Sequence, residues 1–174
     1  MKKNTILVTG GHLPPAVATI EAVRAILPDS AFVYVGRSVA LEASGVPSEE
    51  PDVMRRLGVP FIALAAGRFP RTRGFASPVS FFRIFWGVIR AFGIVARTRP
   101  ALILSFGGYS AFPVAVAGWL LGIPILTHEQ TRVAGLTNKA IALFARRVAV
   151  SFPETLSQFP PHKTVYTGLP IRSE

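Results

Sequence analysis

The chain contains no cysteine among its 174 residues. This absence excludes a disulfide scaffold and a thiolate metal site, and it is typical of proteins from a reducing cytoplasm. Charged residues are also scarce, at 16% against 50% hydrophobic residues. A chain of this length and composition predicts one domain with a substantial core.

Acidic residues are missing from the long stretch between Asp52 and Glu129, and the formal net charge of the whole chain is +10. The arginines in this stretch are Arg55, Arg56, Arg68, Arg71, Arg73, Arg83, Arg90, Arg97 and Arg99. A surface of one sign over such a length predicts an anionic partner. The sequence has no recognition-helix or RNA-binding pattern, so nucleic acid is not the partner that we expect.

No hydrophobic run is both long and uninterrupted. Residues 100–127 are uncharged, but they are punctuated by Gly107, Gly108, Ser110, Pro113 and Pro124. Two buried strands joined by a loop and a helix explain this run better than a membrane span does. The first apolar stretch of the chain ends at Thr9, which is too short for the core of a signal peptide.

Short apolar segments alternate with helical patterns along the chain. The predicted strands are residues 5–8, 32–35, 61–64, 102–105, 125–127, 148–150 and, less clearly, 164–167. Because most of them are apolar throughout, they predict a parallel sheet covered on both faces, in a Rossmann-like, doubly wound α/β domain. In the strand order 3-2-1-4-5-6, the ligand crevice opens where strands 1 and 4 end.

Two turns from helix to strand repeat the same pattern, Leu57-Gly58-Val59-Pro60 and Leu121-Gly122-Ile123-Pro124. In each, the glycine is suited to end a helix and the proline to admit a strand.

A long helix is predicted over residues 77–98, with Ser77-Pro78 at its start and Pro100 beyond its end. One apolar stripe of this helix is predicted to face the core, and it consists of Phe82, Phe85, Ile89, Phe92 and Ala96. A second face carries the heptad-spaced Arg83, Arg90 and Arg97 together with Trp86, and Phe81 flanks it. This face suits anionic lipid headgroups, at about 1 kcal/mol for each arginine, although a solvated basic face is the alternative.

Glycine pairs follow the first and fourth predicted strands, at Thr9-Gly10-Gly11-His12 and at Gly107-Gly108-Tyr109. Glycine lets backbone N–H groups approach an anion, and the following helix N-terminus favours negative charge. A tight turn without a ligand explains Thr9 to His12 about equally well. His12 has a side chain suited to proton transfer, with a capping or core histidine as the alternative.

A third polar cluster, His128-Glu129-Gln130, follows the fifth predicted strand and leads to Gly135-Leu136-Thr137-Asn138. Glu129 is either one half of a structural ion pair or a carboxylate that orients His12 or binds a hydroxyl. Asn138 is expected to cap or pin the loop before the next helix.

These motifs, together with Thr167-Gly168-Leu169-Pro170-Ile171-Arg172, resemble the amino-terminal half of the peptidoglycan lipid-intermediate N-acetylglucosaminyltransferases of glycosyltransferase family 28. The resemblance covers nearly the whole chain. It implies one half of a GT-B architecture. It also implies an inverting transfer of N-acetylglucosamine from UDP-GlcNAc to undecaprenyl-diphosphate-linked muramoyl-pentapeptide, without a metal or other cofactor.

The resemblance also implies residue roles. Catalytic roles fall to His12 and Glu129. The implied acceptor-binding residues are Gly107, Gly108, Tyr109, Gln130 and Asn138, and the implied donor-binding residues are Thr9, Gly10, Gly11, Thr131 and Arg172. The chain departs from the family pattern at four positions: Leu7 and Val8 replace two glycines, and Thr131 and Leu169 each replace an asparagine.

By this resemblance, residues 1–168 form an acceptor- and membrane-binding domain, and residues 169–174 begin a linker to an absent donor domain. The chain alone is then expected to turn over poorly, at the cytoplasmic face of the plasma membrane. Two alternatives remain open. One is a non-catalytic, membrane-recruiting subunit of a split glycosyltransferase, and the other is a transferase domain for a different polyprenyl-linked sugar or glycolipid.

Overall fold

The computed structural model describes residues 4–38, 47–64 and 78–172, and it describes the side chains of the helix that begins at Pro78 from residue 85 onward. The strands are β1 (Thr5–Thr9), β2 (Ala31–Gly36), β3 (Phe61–Ala63), β4 (Leu102–Ser105), β5 (Ile125–Glu129), β6 (Arg147–Val150) and β7 (Thr164–Tyr166). The helices are α1 (Leu13–Ile26), α2 (Glu50–Arg56), α3 (Pro78–Thr98), α4 (Ala111–Leu120) and α5 (Leu136–Ala142). Two short 3₁₀ helices, Pro153–Gln158 and Pro161–Lys163, precede β7.

The strands form one parallel sheet in the order β3-β2-β1-β4-β5-β6-β7. This order confirms the doubly wound prediction, including the adjacency of strands 1 and 4, and the seventh strand extends the sheet at one edge. Residues 100–127 fold as β4, α4 and β5, as predicted. No helix in the described ranges is long and apolar enough to cross a bilayer.

Both faces of the sheet are covered, because successive residues of each strand enter different cores. Leu7 and Ile103 pack with α3, α4 and α5 on one face. Val8 and Leu104 pack with α1 and α2 on the other. Leu7 and Val8 are fully buried, so these two departures from the family pattern lie in the core.

The two repeated turns are equivalent in the structure. Gly58 and Gly122 have φ of 62° and 70°, in the left-handed region that favours glycine. The amide of Val59 donates to the Met54 carbonyl over 2.9 Å, and the amide of Ile123 donates to Gly118 over the same distance. Each glycine therefore ends a helix in the predicted way.

Candidate functional site at the carboxyl edge of the sheet

The two glycine loops pack directly on each other. Their strands are neighbours, with Thr9 opposite Ser105. A Cβ built on Gly11 would lie 2.6 Å from the Cα of Gly108 and 2.7 Å from its amide nitrogen. Gly108 has a φ of 78°, as a residue without Cβ readily adopts. Close approach of the two loops is therefore one reason for glycine here, beside the predicted access for an anion.

Further contacts hold these loops in place. The Ser110 hydroxyl donates to the Gly10 carbonyl over 3.1 Å, and a Cβ on Gly10 would collide with the Tyr34 hydroxyl. A Cβ on Gly107 would lie 2.9 Å from the side-chain amide nitrogen of Asn138. The loops after β1 and β4 are thus packed from below by β2 and from the side by α5.

His12 and Gln130 meet across this edge, although 118 positions separate them in the chain. His12 is the N-cap residue of α1, makes no capping hydrogen bond through its side chain, and is exposed. The side-chain amide of Gln130 contacts Nδ1 of His12 and also donates to the Phe106 carbonyl over 3.3 Å. The structure therefore brings the first and third predicted motifs together.

Glu129 is only 2% exposed, and both oxygens of its carboxylate accept hydrogen bonds. Oε1 accepts from the Thr131 amide at 3.0 Å and from the Thr131 hydroxyl at 2.6 Å. Oε2 accepts from the Gly135 amide at 2.9 Å and from the Asn138 side chain at 2.9 Å. In the described part of the chain Glu129 makes no ion pair. In this arrangement its carboxylate anchors the segment that follows β5.

Asn138 and the 3₁₀ helix Pro153–Gln158 also hold the segment that follows β5. Asn138 is in the first turn of α5, where its amide nitrogen also donates to the His128 carbonyl over 3.1 Å. This confirms that Asn138 pins the loop, but the N-cap position belongs to Gly135. The side chain of Gln158 binds the Ala134 amide and the Arg132 carbonyl. Residues 131–135 are therefore held as a preformed loop.

Sequence reasoning missed a buried cluster beneath the glycine loops. The Glu50 carboxylate accepts from the Arg37 amide at 2.7 Å and lies 3.8 Å from its Nε. The Arg37 guanidinium lies 5.2 Å from the ring centroid of Tyr109. Burial raises the pKa of Glu50, against the opposing effects of the Arg37 amide and charge, and it also raises that of Tyr34. These contacts connect β2 to the predicted acceptor loop. The only sign of this cluster in the sequence is that a charged residue, Arg37, comes just after a predicted strand.

His128 belongs to the third polar cluster, but the sequence assigned it no role. It is 3% exposed, its ring lies 5.6 Å from that of Phe106, and its Nε2 lies 3.4 Å from the Gly168 carbonyl and 3.3 Å from the Ser151 hydroxyl. Burial lowers the pKa of His128, which the Gly168 carbonyl only partly offsets. His128 therefore connects β5 to the segment leaving β7 while it remains neutral.

This depressed pKa predicts a specific loss of stability in mild acid. As the pH falls through about 6.5, the unfolded chain binds a proton that folded His128 resists, so the free energy of unfolding decreases down to the folded pKa. Each unit of depression contributes about 1.4 kcal/mol. The free energy of unfolding, measured with urea at several pH values across this range, should fall more steeply with decreasing pH for wild type than for His128→Gln. The glutamine keeps an N–H donor but does not titrate. His162→Gln, at an exposed position, should retain the wild-type slope, and equal slopes for all three proteins would contradict the assignment.

Two predicted donor-binding residues have partners within the domain. Arg172 binds Glu21 of α1 through Nε at 3.3 Å and a terminal nitrogen at 3.0 Å. Thr131 binds Glu129, as described above. Thr9 is fully buried, and its hydroxyl has no hydrogen-bond partner within the described residues. Donor binding by these residues stays a prediction.

The predicted core stripe of α3 is wrong. Phe85, Ile89 and Phe92 are 56%, 43% and 41% exposed, and Ala96 is exposed as well. The smaller Ala91 and Val95 are fully buried instead, because α3 packs closely against α4 and the sheet. The helix therefore presents an apolar stripe outward. Trp86 is 48% exposed, and Arg90 and Arg97 are exposed too. The side chains of Phe81, Phe82 and Arg83 are outside the described residues.

A second exposed apolar group, which the sequence analysis did not identify, lies at the end of α4. Trp119 and Leu120 are more than half exposed. The ring of Trp119 lies 5.8 Å from that of Phe144, after α5.

No cluster of three or more His, Cys, Asp or Glu suited to a metal ion occurs in residues 4–38, 47–64 and 78–172.

A doubly wound parallel sheet whose glycine loops and polar cluster meet at one edge is the architecture of a Rossmann-like half of a GT-B glycosyltransferase. The sequence places the chain within that class. It belongs to glycosyltransferase family 28, whose N-terminal domain matches residues 7–150.

Similar proteins agree with this assignment. The chain is 37% identical over 165 residues to a UDP-N-acetylglucosamine-N-acetylmuramyl-(pentapeptide) pyrophosphoryl-undecaprenol N-acetylglucosamine transferase of Nitratidesulfovibrio vulgaris, covering 95% of this chain and 43% of that protein. A relative of the same name from Listeria welshimeri is 35% identical over 166 residues, covering 95% and 44%. The crystal structure of Acinetobacter baumannii MurG superposes with a TM-score of 0.73 at 25% identity, covering 99% of this chain and 46% of that one. The chain thus spans less than half the length of these relatives.

Proposed function

We propose that this domain binds the lipid-linked acceptor of an inverting glycosyltransferase that moves N-acetylglucosamine from UDP-GlcNAc to undecaprenyl-diphosphate-linked muramoyl-pentapeptide. The observation that carries the proposal is the joining of His12, Gln130 and two glycine loops at one sheet edge. The names of the relatives supply the reaction and both substrates.

The acceptor's diphosphate fits the chemistry of this edge. Helices α1 and α4 both begin just beyond the glycine loops, and a helix N-terminus carries partial positive charge and free N–H donors. His12 lies at the first of these ends and is accessible to a ligand. Gly107, Gly108 and Tyr109 form the facing loop, while Gln130 and Asn138 fix its surroundings. We assign acceptor contact to His12 and this loop, and positioning roles within the acceptor site to Gln130, Asn138 and Glu129.

Most of the sugar nucleotide belongs, in this proposal, to a second domain that follows a linker beginning at residues 169–174. Thr9, Gly10, Gly11, Thr131 and Arg172 contribute the first domain's side of the donor cleft. The chain alone then binds the acceptor without sustained turnover, and steady-state transfer by the isolated chain would contradict this division of labour.

An anionic membrane surface is the proposed second partner, at the cytoplasmic face of the plasma membrane. The outward stripe of α3 combines exposed aromatic and aliphatic side chains with Arg90 and Arg97. Such a pairing suits the boundary between headgroups and acyl chains. Beside it, an open groove of about 370 Å³ between β3 and α3 is lined by Ile62, Leu64, Ile89, Arg90, Ile94 and Arg97. In this proposal the α3 surface holds the domain at the bilayer that carries its lipid-linked substrate.

The test is binding to anionic vesicles with and without undecaprenyl-diphosphate-linked muramoyl-pentapeptide. The acceptor should increase the affinity of wild type for the vesicles. His12→Ala should reduce this increase about tenfold, as expected for the loss of one hydrogen bond to a charged group. His162→Ala is the matched control, because His162 lies at the surface of a 3₁₀ helix. Vesicle binding that is the same with and without the acceptor would contradict this function and favour a membrane-recruiting subunit instead. Equal binding of a different polyprenyl-linked sugar would favour another transferase.

A further inference from the structure

The contact between Gln130 and His12 determines which nitrogen of the imidazole carries its proton. We propose that Gln130 is a positioning residue that holds neutral His12 with its proton on Nε2, so that His12 offers a ligand a hydrogen-bond donor rather than a base. The tautomer follows from the contact itself, while its meaning for sugar transfer rests on the proposed function.

The backbone just after β4 fixes the orientation of the Gln130 amide. The Phe106 carbonyl lies 3.3 Å from Nε2 of Gln130, and a carbonyl oxygen can only accept a hydrogen bond. If the amide were reversed, Oε1 would face that carbonyl and two acceptors would repel each other. The same NH₂ group contacts Nδ1 of His12. Gln130 therefore presents donors to both neighbours.

The proton on the imidazole follows from this orientation. A neutral imidazole has one N–H and one acceptor nitrogen. Since Nδ1 of His12 receives the amide N–H, the ring proton is on Nε2. Nε2 has no hydrogen-bond partner within the described residues, and the side chain is exposed. Nε2–H is thus the group that a bound ligand meets.

The resting site is consequently arranged for an anion. An N–H donor beside the α1 N-terminus complements a diphosphate oxygen. A general base needs a lone pair at the nitrogen that faces the hydroxyl. To present that lone pair on Nε2, the Gln130 amide has to turn over so that Oε1 accepts Nδ1–H. That turn would break the hydrogen bond from Gln130 to the Phe106 carbonyl and set Oε1 against this carbonyl, so the resting contacts favour the donor form.

Nitrogen-15 NMR of the three histidine side chains tests the proposal on the chain as it stands, without acceptor. The spectra are recorded well above the ordinary imidazole pKa of about 6.5. Wild-type His12 should show a protonated Nε2 and an unprotonated Nδ1, with a scalar coupling between Nδ1 and the Gln130 side-chain nitrogen. Gln130→Glu offers only acceptors and should move the proton to Nδ1. Gln130→Met should abolish the coupling.

Gln158→Glu is the matched control, because it makes the same chemical change in another glutamine whose two amide atoms are hydrogen-bonded. It should leave the His12 signals unchanged. A wild-type proton on Nδ1, or a His12 spectrum identical in wild type and Gln130→Glu, would overturn the proposal. The wild-type coupling and Gln130→Met decide the question if the glutamate variant does not fold. Because no acceptor is present, failure here is distinct from failure of the acceptor-binding function.

Discussion

Replacing Gly11 with alanine should destabilise the protein by about 3 kcal/mol, which lowers Tm by roughly 6 to 12 °C for a domain of this size. The new methyl group would lie 2.6 Å from the Cα, 2.7 Å from the amide nitrogen of Gly108 and 2.8 Å from the carbonyl oxygen of Gly107. All three are backbone atoms at the ends of buried strands, so no side-chain rotation relieves the overlap. The loops after β1 and β4 would have to separate, and thermal unfolding measures the cost.

Gly93→Ala is the matched control for this substitution. It makes the same chemical change within α3, where a Cβ would meet nothing within 4 Å. Alanine in a helix interior is favoured over glycine by about 0.5 to 1 kcal/mol, so this variant should melt slightly higher than wild type. If Gly11→Ala melted with the wild type, the close packing of the two loops would be wrong. Gly108→Ala should repeat the loss, with added strain from its φ of 78°.

Reversing the charges of Arg90 and Arg97 on α3 should release the protein from anionic vesicles. Each arginine near an anionic surface contributes about 1 kcal/mol. Two changes from arginine to glutamate alter the charge by four, which corresponds to about 4 kcal/mol or roughly a thousandfold in partition. Cosedimentation with vesicles at increasing anionic lipid content measures the effect, and added salt should reduce wild-type binding in parallel.

Arg55→Glu/Arg56→Glu is the control for the membrane experiment. These arginines lie on α2, which packs on the opposite face of the sheet from α3, and their reversal changes the net charge equally. This pair should keep most of the binding. Trp86→Ser/Phe92→Ser should weaken binding to anionic and neutral vesicles alike, because it removes apolar contact instead of charge. If both arginine pairs reduced binding equally, net charge rather than the α3 surface would explain the association.

Much of the fold was predictable from the sequence because its signals are local. Apolar segments such as residues 102–105 became strands within a residue or two of the expected bounds. The turns at Gly58 and Gly122 formed as their pattern indicated. Parallel strands with apolar faces require helices on both sides, so the doubly wound order followed from the alternation of elements.

The orientation of α3 was not predictable in the same way. Periodicity shows that Phe85, Ile89 and Phe92 share one face of a helix, but it does not say whether that face meets the sheet. Here the sheet and α4 pack against the face of α3 that carries Ala91 and Val95, because these smaller side chains permit close approach. The error matters for function, because it turns a presumed core stripe into the proposed membrane surface.

Contacts within the candidate site also depended on tertiary structure. The sequence predicted that His12 and Glu129 lie at one edge of the sheet, and the family resemblance implied that Asn138 supports the acceptor pocket. The sequence did not predict that Glu129 accepts four hydrogen bonds from its own loop and helix, or that Arg37 reaches Tyr109. The contact between Arg37 and Tyr109 joins residues far apart in the chain. The Glu129 contacts are local, but they form only when the segment after β5 folds back on the strand end, and no spacing in the sequence encodes that path.

The sequence by itself determined the class of fold, the edge at which the motifs converge and the resemblance to a glycosyltransferase family, because strand ends, glycine turns and short motifs are local properties of the chain. Tertiary structure decided which face of α3 meets solvent, why Gly11 and Gly108 tolerate no Cβ, and how Gln130 orients the imidazole of His12. Each of these depends on atoms of separate strands and helices that meet only in the folded domain.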